Sequence, residues 1–318
     1  MGELQCAGAK VKDQRDARRG DKPGSDTLDR VLLACGQDLP AGASTLISGS
    51  GDQEVRRVTL RDESTRIIKS LPLPQRDRLD AEADGLRALA QNGRLIVPAC
   101  SPPVIVDQRA YLVMDEITPS RLQSDDAWIA FGRSLAAHHG SCAESRYGWH
   151  RDNYIGQTPQ INTRCDDWVR FNAEHRLGFQ LSLAHQRGLL SASDQAQLRL
   201  VIDRLDTFIP RNPRPALLHG DLWSGNALAT VLHGRQCIAV IDPGVSVGDG
   251  WADIAMMRLF GGFPPSCLKA YMDATQDRDQ IEQRVLVYQL YHMLNHLNIF
   301  GDSYRGSVLS IACQLARM

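Results

Sequence analysis

His219-Gly220-Asp221-Leu222-Trp223-Ser224-Gly225-Asn226, followed by Ile241-Asp242-Pro243-Gly244, is the stretch from which the rest of the chain can be read. It sets an aspartate and an asparagine five apart on one short loop, with a second aspartate closing the next strand. Phosphoryl transfer from a nucleotide needs these groups. One carboxylate takes the proton of the attacking hydroxyl, while an amide oxygen and a second carboxylate hold magnesium on the phosphates. The spacing fits His-x-Asp-x-x-x-x-Asn followed by a metal-binding aspartate. Asp221 is therefore the candidate base, and Asn226 and Asp242 are the candidate metal ligands. The competing reading is a polar hairpin in which Asp221 and Asn226 only hold turns.

Upstream residues weigh against the hairpin. Thr65-Arg66-Ile67-Ile68-Lys69 reads as an apolar strand ending in lysine. A helix expected over about 75–91 places Leu79, Glu82, Leu86 and Leu89 on one face, at spacings of 3, 4 and 3. An unpaired carboxylate in an inward stripe is costly. A lysine facing it from the neighbouring strand removes that cost, and a Lys–Glu pair is what kinases use to hold the α- and β-phosphates. Taken singly, Lys69 is a solvated strand end and Glu82 an edge residue reaching for water. Gly49-Ser50-Gly51 interrupts the hairpin before that strand. Glycines there let backbone N–H groups approach phosphate, although the same residues also make an ordinary turn. Asp115, Glu116 and Ile117 end a further apolar strand, where backbone groups are placed to read an adenine edge or simply form a linker. His219 is assigned to orienting backbone, not to proton transfer. His138, His139, His292 and His296 lack metal-site spacing.

Composition excludes several classes. The 318 residues are 43% hydrophobic and 23% charged, enough for a sizeable core in one large domain or two smaller ones. Net charge is −1, which gives no footing for nucleic acid or an anionic membrane. No apolar run approaches the roughly 18 residues of a spanning helix. The basic residues Lys10, Lys12, Arg15, Arg18 and Arg19 have no apolar segment behind them, so no secretory signal is read there. The eight cysteines are scattered with no C-x-x-C pair, which points to a reducing cytoplasm.

The expected organisation is α+β and two-lobed. Residues 1–26 read as a disordered tail, 27–117 as a β-rich nucleotide-binding lobe, and 118–318 as a mainly helical catalytic lobe. In the first lobe the pattern predicts a helix over 27–36, strands over 45–60 (broken at 48–51), 64–71 and 110–114, and short strands at 95–97 and 103–106. In the second it predicts helices over 124–140, 166–188, 192–209, 251–260, 265–275 and 278–300. A strand pair, Ala216–Leu218 with Cys237–Ile241, is expected to carry the opening motif.

The chain resembles the fructosamine kinase (ketosamine-3-kinase) family, within the aminoglycoside-phosphotransferase-like, protein-kinase-like fold. The resemblance rests on Leu217 to Asn226; on Ile241-Asp242-Pro243; on Ala252-Asp253-Ile254-Ala255-Met256 running into Leu259-Phe260-Gly261-Gly262-Phe263; and on Asn153-Tyr154-Ile155-Gly156-Gln157-Thr158-Pro159-Gln160-Ile161-Asn162. Trp168, Phe171 and Arg176-Leu177 continue the last of these. It implies ATP- and magnesium-dependent phosphorylation of the 3-hydroxyl of a ketosamine, small or protein-bound, by a monomer. Such phosphorylation labilises a glycation adduct. By position, Asp221 is then the base, Asn226 and Asp242 bind metal, and Lys69 with Glu82 clamps phosphate. Trp223 forms an aromatic wall for the acceptor, worth about 0.5–2 kcal/mol to a cationic amine. The stretch Val245 to Trp251 departs from the family pattern and is expected at the substrate mouth, with Asp249 toward the acceptor. The phosphate loop lacks a cysteine found in some relatives. An aminoglycoside- or choline-type kinase shares the Asp-x-x-x-x-Asn loop but does not predict Thr-Pro-Gln-x-Asn. A pseudokinase predicts loss of Lys69, Asp221 or Asp242, and all three are present.

Overall fold

The computed structural model describes residues 25–275 and 277–318. The tail expected over 1–26 lies, up to residue 24, outside them.

The first part is a five-stranded antiparallel sheet with one helix on each face. In chain order come α1 (Ser25–Ala34), β1 (Thr45–Ser50), β2 (Gln53–Thr59), β3 (Thr65–Pro72), α2 (Arg76–Ala90), β4 (Val104–Val106) and β5 (Arg109–Asp115). The strands lie in the order β1-β2-β3-β5-β4. Side chains on a strand alternate between faces, and that alternation sorts the core. Ala110, Leu112 and Met114 of β5 pack with Leu71 of β3 against Leu79, Ala83 and Leu86 of α2. Tyr111, Val113 and Ile68 pack on the other face with Leu28, Val31 and Leu32 of α1. Each fully buried leucine here contributes about 1.5–3 kcal/mol. Ile67 and Leu71 point to α2, so Lys69 between them points there too. The Gly51-Asp52 turn between β1 and β2 is two residues long, with Gly51 at φ +59°, a conformation that favours glycine.

The second part is helical around one large core. Its helices are α3 (Asp126–Gly140), α4 (Trp168–Phe171), α5 (Gly178–Gln186), α6 (Ala192–Asp203), α7 (Leu205–Phe208), α8 (Trp251–Leu259), α9 (Pro265–Ala274), α10 (Ile281–Phe300) and α11 (Arg305–Ala316). A π-helical segment, Asn172–Leu177, joins α4 to α5. The short strands are β6 (Asn153–Ile155), β7 (Thr158–Gln160), β8 (Pro215–Leu218), β9 (Ala227–Leu232), β10 (Arg235–Val240) and β11 (Ser246–Asp249). Among the described residues no helix is long and apolar enough to cross a membrane.

Several expectations are corrected. The strands over 216–218 and 237–241 do not pair with each other. The chain leaving the 219–226 loop forms β9 and folds straight back as β10, while β8 takes β11 as its partner. Leu95 to Val97 makes only the isolated bridge Ile96–Ala239. The β6–β7 hairpin and helix α11 are additions to the sequence reading. Helix α11 carries Val308, Ile311, Ala312 and Leu315 on one buried face, a helical spacing that was available in the sequence.

Candidate active site

Lys69 and Glu82 meet as the strand and helix periods require. Lys69 Nζ lies 2.6 Å from Glu82 Oε1 and also contacts Asp242. Lys69 is buried, at 6% exposure. Burial opposes its charge, but Glu82 and Asp242 outweigh that and hold the ammonium above its ordinary range. Burial pushes the Glu82 carboxyl up, against the pull of Lys69. The triad joins β3 and α2 to the loop after β10, so a charged contact at the site links the two parts of the molecule.

The loop from His219 to Asn226 hangs between β8 and β9 and is fixed from beneath. Buried Asp253, in the first turn of α8, accepts the backbone N–H groups of His219 and Gly220, both at 2.8 Å. His139 Nε2 lies 3.1 Å from the same carboxylate, and His139 Nδ1 lies 2.9 Å from the Tyr271 hydroxyl. Burial opposes the Asp253 charge, but the bond from His139 and its neighbours holds the carboxyl below its ordinary value. His219 Nε2 lies 3.0 Å from the Ile241 carbonyl, and Nδ1 accepts the Asp221 N–H at 3.3 Å. Both ring nitrogens are committed to backbone, and burial lowers the imidazole's basicity. That is an orienting role, not a base. Gly220 has φ +84°, and a Cβ there would lie 2.1 Å from the Gly244 carbonyl oxygen. Gly220→Ala is expected to destabilise the fold by about 1–3 kcal/mol from backbone strain alone, before the clash is counted. Thermal denaturation checks this; an unchanged midpoint would mean the loop is not held this tightly.

Asp221 accepts a bond from Asn226 Nδ2 at 3.3 Å, and the same amide donates to the Asp221 carbonyl at 2.9 Å. Burial, reinforced by the charge of Asp242, raises the Asp221 carboxyl to about 7. A proton acceptor poised near neutrality suits general-base work. The Trp223 indole lies over Gly225 and is 41% exposed.

Two cavities meet at this centre. One, of about 330 Å³, is walled by Asp221, Trp223, Asn226 and Asp242 below and by Lys69, Arg78 and Glu82 above, with Tyr154 and Gln157 of the β6–β7 hairpin at its side. The other, of about 380 Å³, is mostly apolar: Ile47, Val55 and Ile67 form its roof, Leu228 and Ile241 its floor, and Met114 to Ile117 its rear. Lys69, Asp242 and Gln53 line both. A flat aromatic base fits between the apolar walls, and its phosphates would reach the shared charges.

The structure thus brings together Lys69, Glu82, Asp115, Glu116, Ile117, Asp221, Trp223, Asn226 and Asp242. Gly49 and Gly51 belong to the β1–β2 turn region, with Ser50 ending β1; the cavity wall beside them is made by Ser48 and Gln53. Asp249 is a correction. It is 2% exposed, and its carboxylate binds Arg284 Nε at 2.8 Å and the Tyr288 hydroxyl at 2.5 Å. All of Val245 to Trp251 is buried. Pairing of β11 with β8 turns this stretch inward, so it does not line the catalytic cavity. Gln53, Arg78 and Leu228 line the cavities without having been singled out, and Tyr154 and Gln157, quoted above only for the resemblance, line one of them too. Leu228 had a signal, standing two residues past Asn226 on the strand leaving the loop.

Asn226 and Asp242 offer an amide oxygen and a carboxylate. Hard oxygen donors with room left for phosphate and water are what Mg²⁺ takes, since it rarely uses an all-protein cage. Among the described residues no cluster of three or more His, Cys, Asp and Glu forms a metal site.

A profile of the fructosamine kinase family matches residues 43–317. A Synechocystis protein named as a probable ketoamine kinase is 37% identical over 260 residues, covering 80% of this chain and 84% of that protein. The chloroplastic protein-ribulosamine 3-kinase of Oryza sativa subsp. japonica is 33% identical over 325 residues, 97% of this chain and 92% of that protein. Among solved structures, a candidate fructosamine-3-kinase of Thermobifida fusca superposes with a TM-score of 0.82 at 31% identity, over 93% of this chain and 100% of that one. The expected protein-kinase-like α+β fold, β-rich first and helical after, is borne out.

Proposed function

The chain belongs to the fructosamine kinase family, and we propose that it transfers the γ-phosphoryl group of ATP to the 3-hydroxyl of a ketosamine. It is a phosphotransferase acting on a hydroxyl group of ketosamines. The roles of individual residues, the magnesium ion and the site of phosphorylation are our reading.

The adenine would lie between the apolar walls of the 380 Å³ cavity, whose lining includes Ile47, Val55, Ile67, Leu228 and Ile241. The Asp115 and Glu116 amides already donate to Ala99 and Thr65, at 2.9 and 3.4 Å. The Ile117 amide remains to meet the base edge. Lys69, steadied by Glu82, holds the α- and β-phosphates. Asn226 and Asp242 would hold Mg²⁺, which when bound would offset the charge of the phosphates. Asp221 faces the acceptor hydroxyl and takes its proton. Asn226 Nδ2, bonded to that carboxylate, fixes its direction. The Trp223 indole walls the acceptor side, opposite Tyr154 and Gln157.

One observation carries this reading. Asp221, Asn226, Asp242, Lys69 and Glu82 line a single cavity together with an exposed indole. A 3-phosphorylated ketosamine is labile, so the reaction serves removal of glycation adducts. The seven cysteines among the described residues are all free thiols, which fits a reducing compartment.

The test is ATP consumption with magnesium across ribulosamines, fructosamines, an aminoglycoside and choline. Turnover is expected on the ketosamines. Turnover only on the aminoglycoside or choline sinks the reading.

A further inference from the structure

Arg78, in the first turn of α2, lines the cavity of Asp221 and Trp223. Its guanidinium donates to Gln75 Oε1 at 3.0 Å and to Gln53 Oε1 at 3.4 Å. Both partners are neutral amides, and only two of the five guanidinium N–H groups are used. Among the described residues it has no carboxylate partner. The other cations nearby are committed: Lys69 to Glu82 and Asp242, and Arg151 to Asp77. The cavity wall therefore holds three carboxylates (Glu82, Asp221, Asp242), Lys69 already shared by two of them, and one arginine that touches none of them. A half-buried guanidinium left in that state is matched to an incoming anion, because a charge-assisted fork to an oxyanion is stronger than its bonds to amides. Its Gln53 partner starts β2, straight after the Gly51-Asp52 turn, and lines both cavities, so Arg78 is held where the two reactants meet.

Resting on the kinase reading above, we propose that Arg78 binds an anionic oxygen at the acceptor end of the cavity and not the resting nucleotide. Two sources share that chemistry: a carboxylate on the amine portion of the ketosamine, and the phosphoryl group in transit. Arg78 is a binding residue; Asp221 remains the base.

The experiment compares two acceptors differing only in a carboxylate, the ketosamine of an amino acid and that of its decarboxylated amine. Wild type, Arg78→Met and Arg78→Lys are assayed on each, with thermal melts. Losing one charged hydrogen-bond donor lowers kcat/KM by roughly ten- to a hundred-fold. A rise in KM on the carboxylate-bearing acceptor alone assigns the carboxylate. A fall in kcat on both acceptors, with their KM values kept, assigns the phosphoryl group. In either case Arg78→Lys recovers part of the loss, since it keeps the charge but not the fork; it carries the test if Arg78→Met does not fold. Rates within about two-fold of wild type on both acceptors, or a change confined to KM for ATP, overturn the proposal and leave Arg78 a strap between α2 and the hairpin. A wild type silent on both acceptors overturns the kinase reading and this proposal with it.

Discussion

Asp221→Asn is expected to leave a folded protein that binds ATP and has lost its phosphoryl transfer. The substitution keeps the shape of the side chain and an oxygen facing Asn226 Nδ2, so the loop held by Asp253 and His219 stays in place. What it removes is the ability to take a proton. Loss of a positioned general base costs typically 10²–10⁴-fold in rate. That loss is expected in kcat, with KM for ATP little changed, because the nucleotide cavity does not include Asp221. Stability is expected to move the other way. The Asp221 carboxyl is raised to about 7 by burial and by Asp242, so the fold disfavours its ionised form. A carboxyl whose pKa is raised on folding erodes stability as pH climbs from the ordinary carboxylate range to the raised value. In metal-free buffer above neutral pH, the variant's melting temperature is therefore expected at or above that of wild type. A lower melting temperature together with lost activity would make Asp221 a structural residue.

Arg284→Met is expected to produce the largest loss of stability. Arg284 and Asp249 are 1% and 2% exposed, and the guanidinium also holds Asp277 at 2.7 Å. Burial works against the Arg284 charge, but Asp277 and Asp249 outweigh it and hold the guanidinium above its ordinary range. Methionine fills similar volume yet strands Asp249 in the interior, and breaking one partner of a buried pair costs about 3–5 kcal/mol. Urea denaturation should show a much lower midpoint, with near-normal kcat/KM for the fraction still folded. The opposite pattern, intact stability with raised KM for the acceptor, would return Asp249 to the substrate side.

The Asp249 result marks where sequence reasoning stopped. Motif spacing carried Asp221, Asn226 and Asp242 because one short loop and one strand set their separation. The strand and helix periods carried the Lys69–Glu82 pair, since Ile67 and Leu71 fix which way Lys69 points and Leu79, Leu86 and Leu89 fix Glu82. Asp249 depends instead on strand pairing. Once β9 and β10 form a hairpin, β11 falls to β8, and the stretch after Asp242 turns inward. No local period records that choice. The part of the acceptor side beyond Trp223 was not legible for a related reason. Tyr154 and Gln157 reach the cavity only because Asn153 and Gln160 tie their hairpin to the Val245 and Gly244 carbonyls, at 2.7 and 3.0 Å, contacts made 92 and 84 residues away. Arg78 looked like any surface arginine on a helix; its lack of a carboxylate partner is a fact of three dimensions.

The central claim is that Asp221 directs the γ-phosphoryl group of ATP to one hydroxyl of a ketosamine. The most direct measurement is phosphorus and proton NMR of the product formed from a fructosamine or ribulosamine by wild type with ATP and magnesium, run beside Asp221→Asn. The account predicts a single phosphate ester at the 3-hydroxyl with wild type and none with the variant. Phosphate at another position, or equal product from the variant, would contradict it.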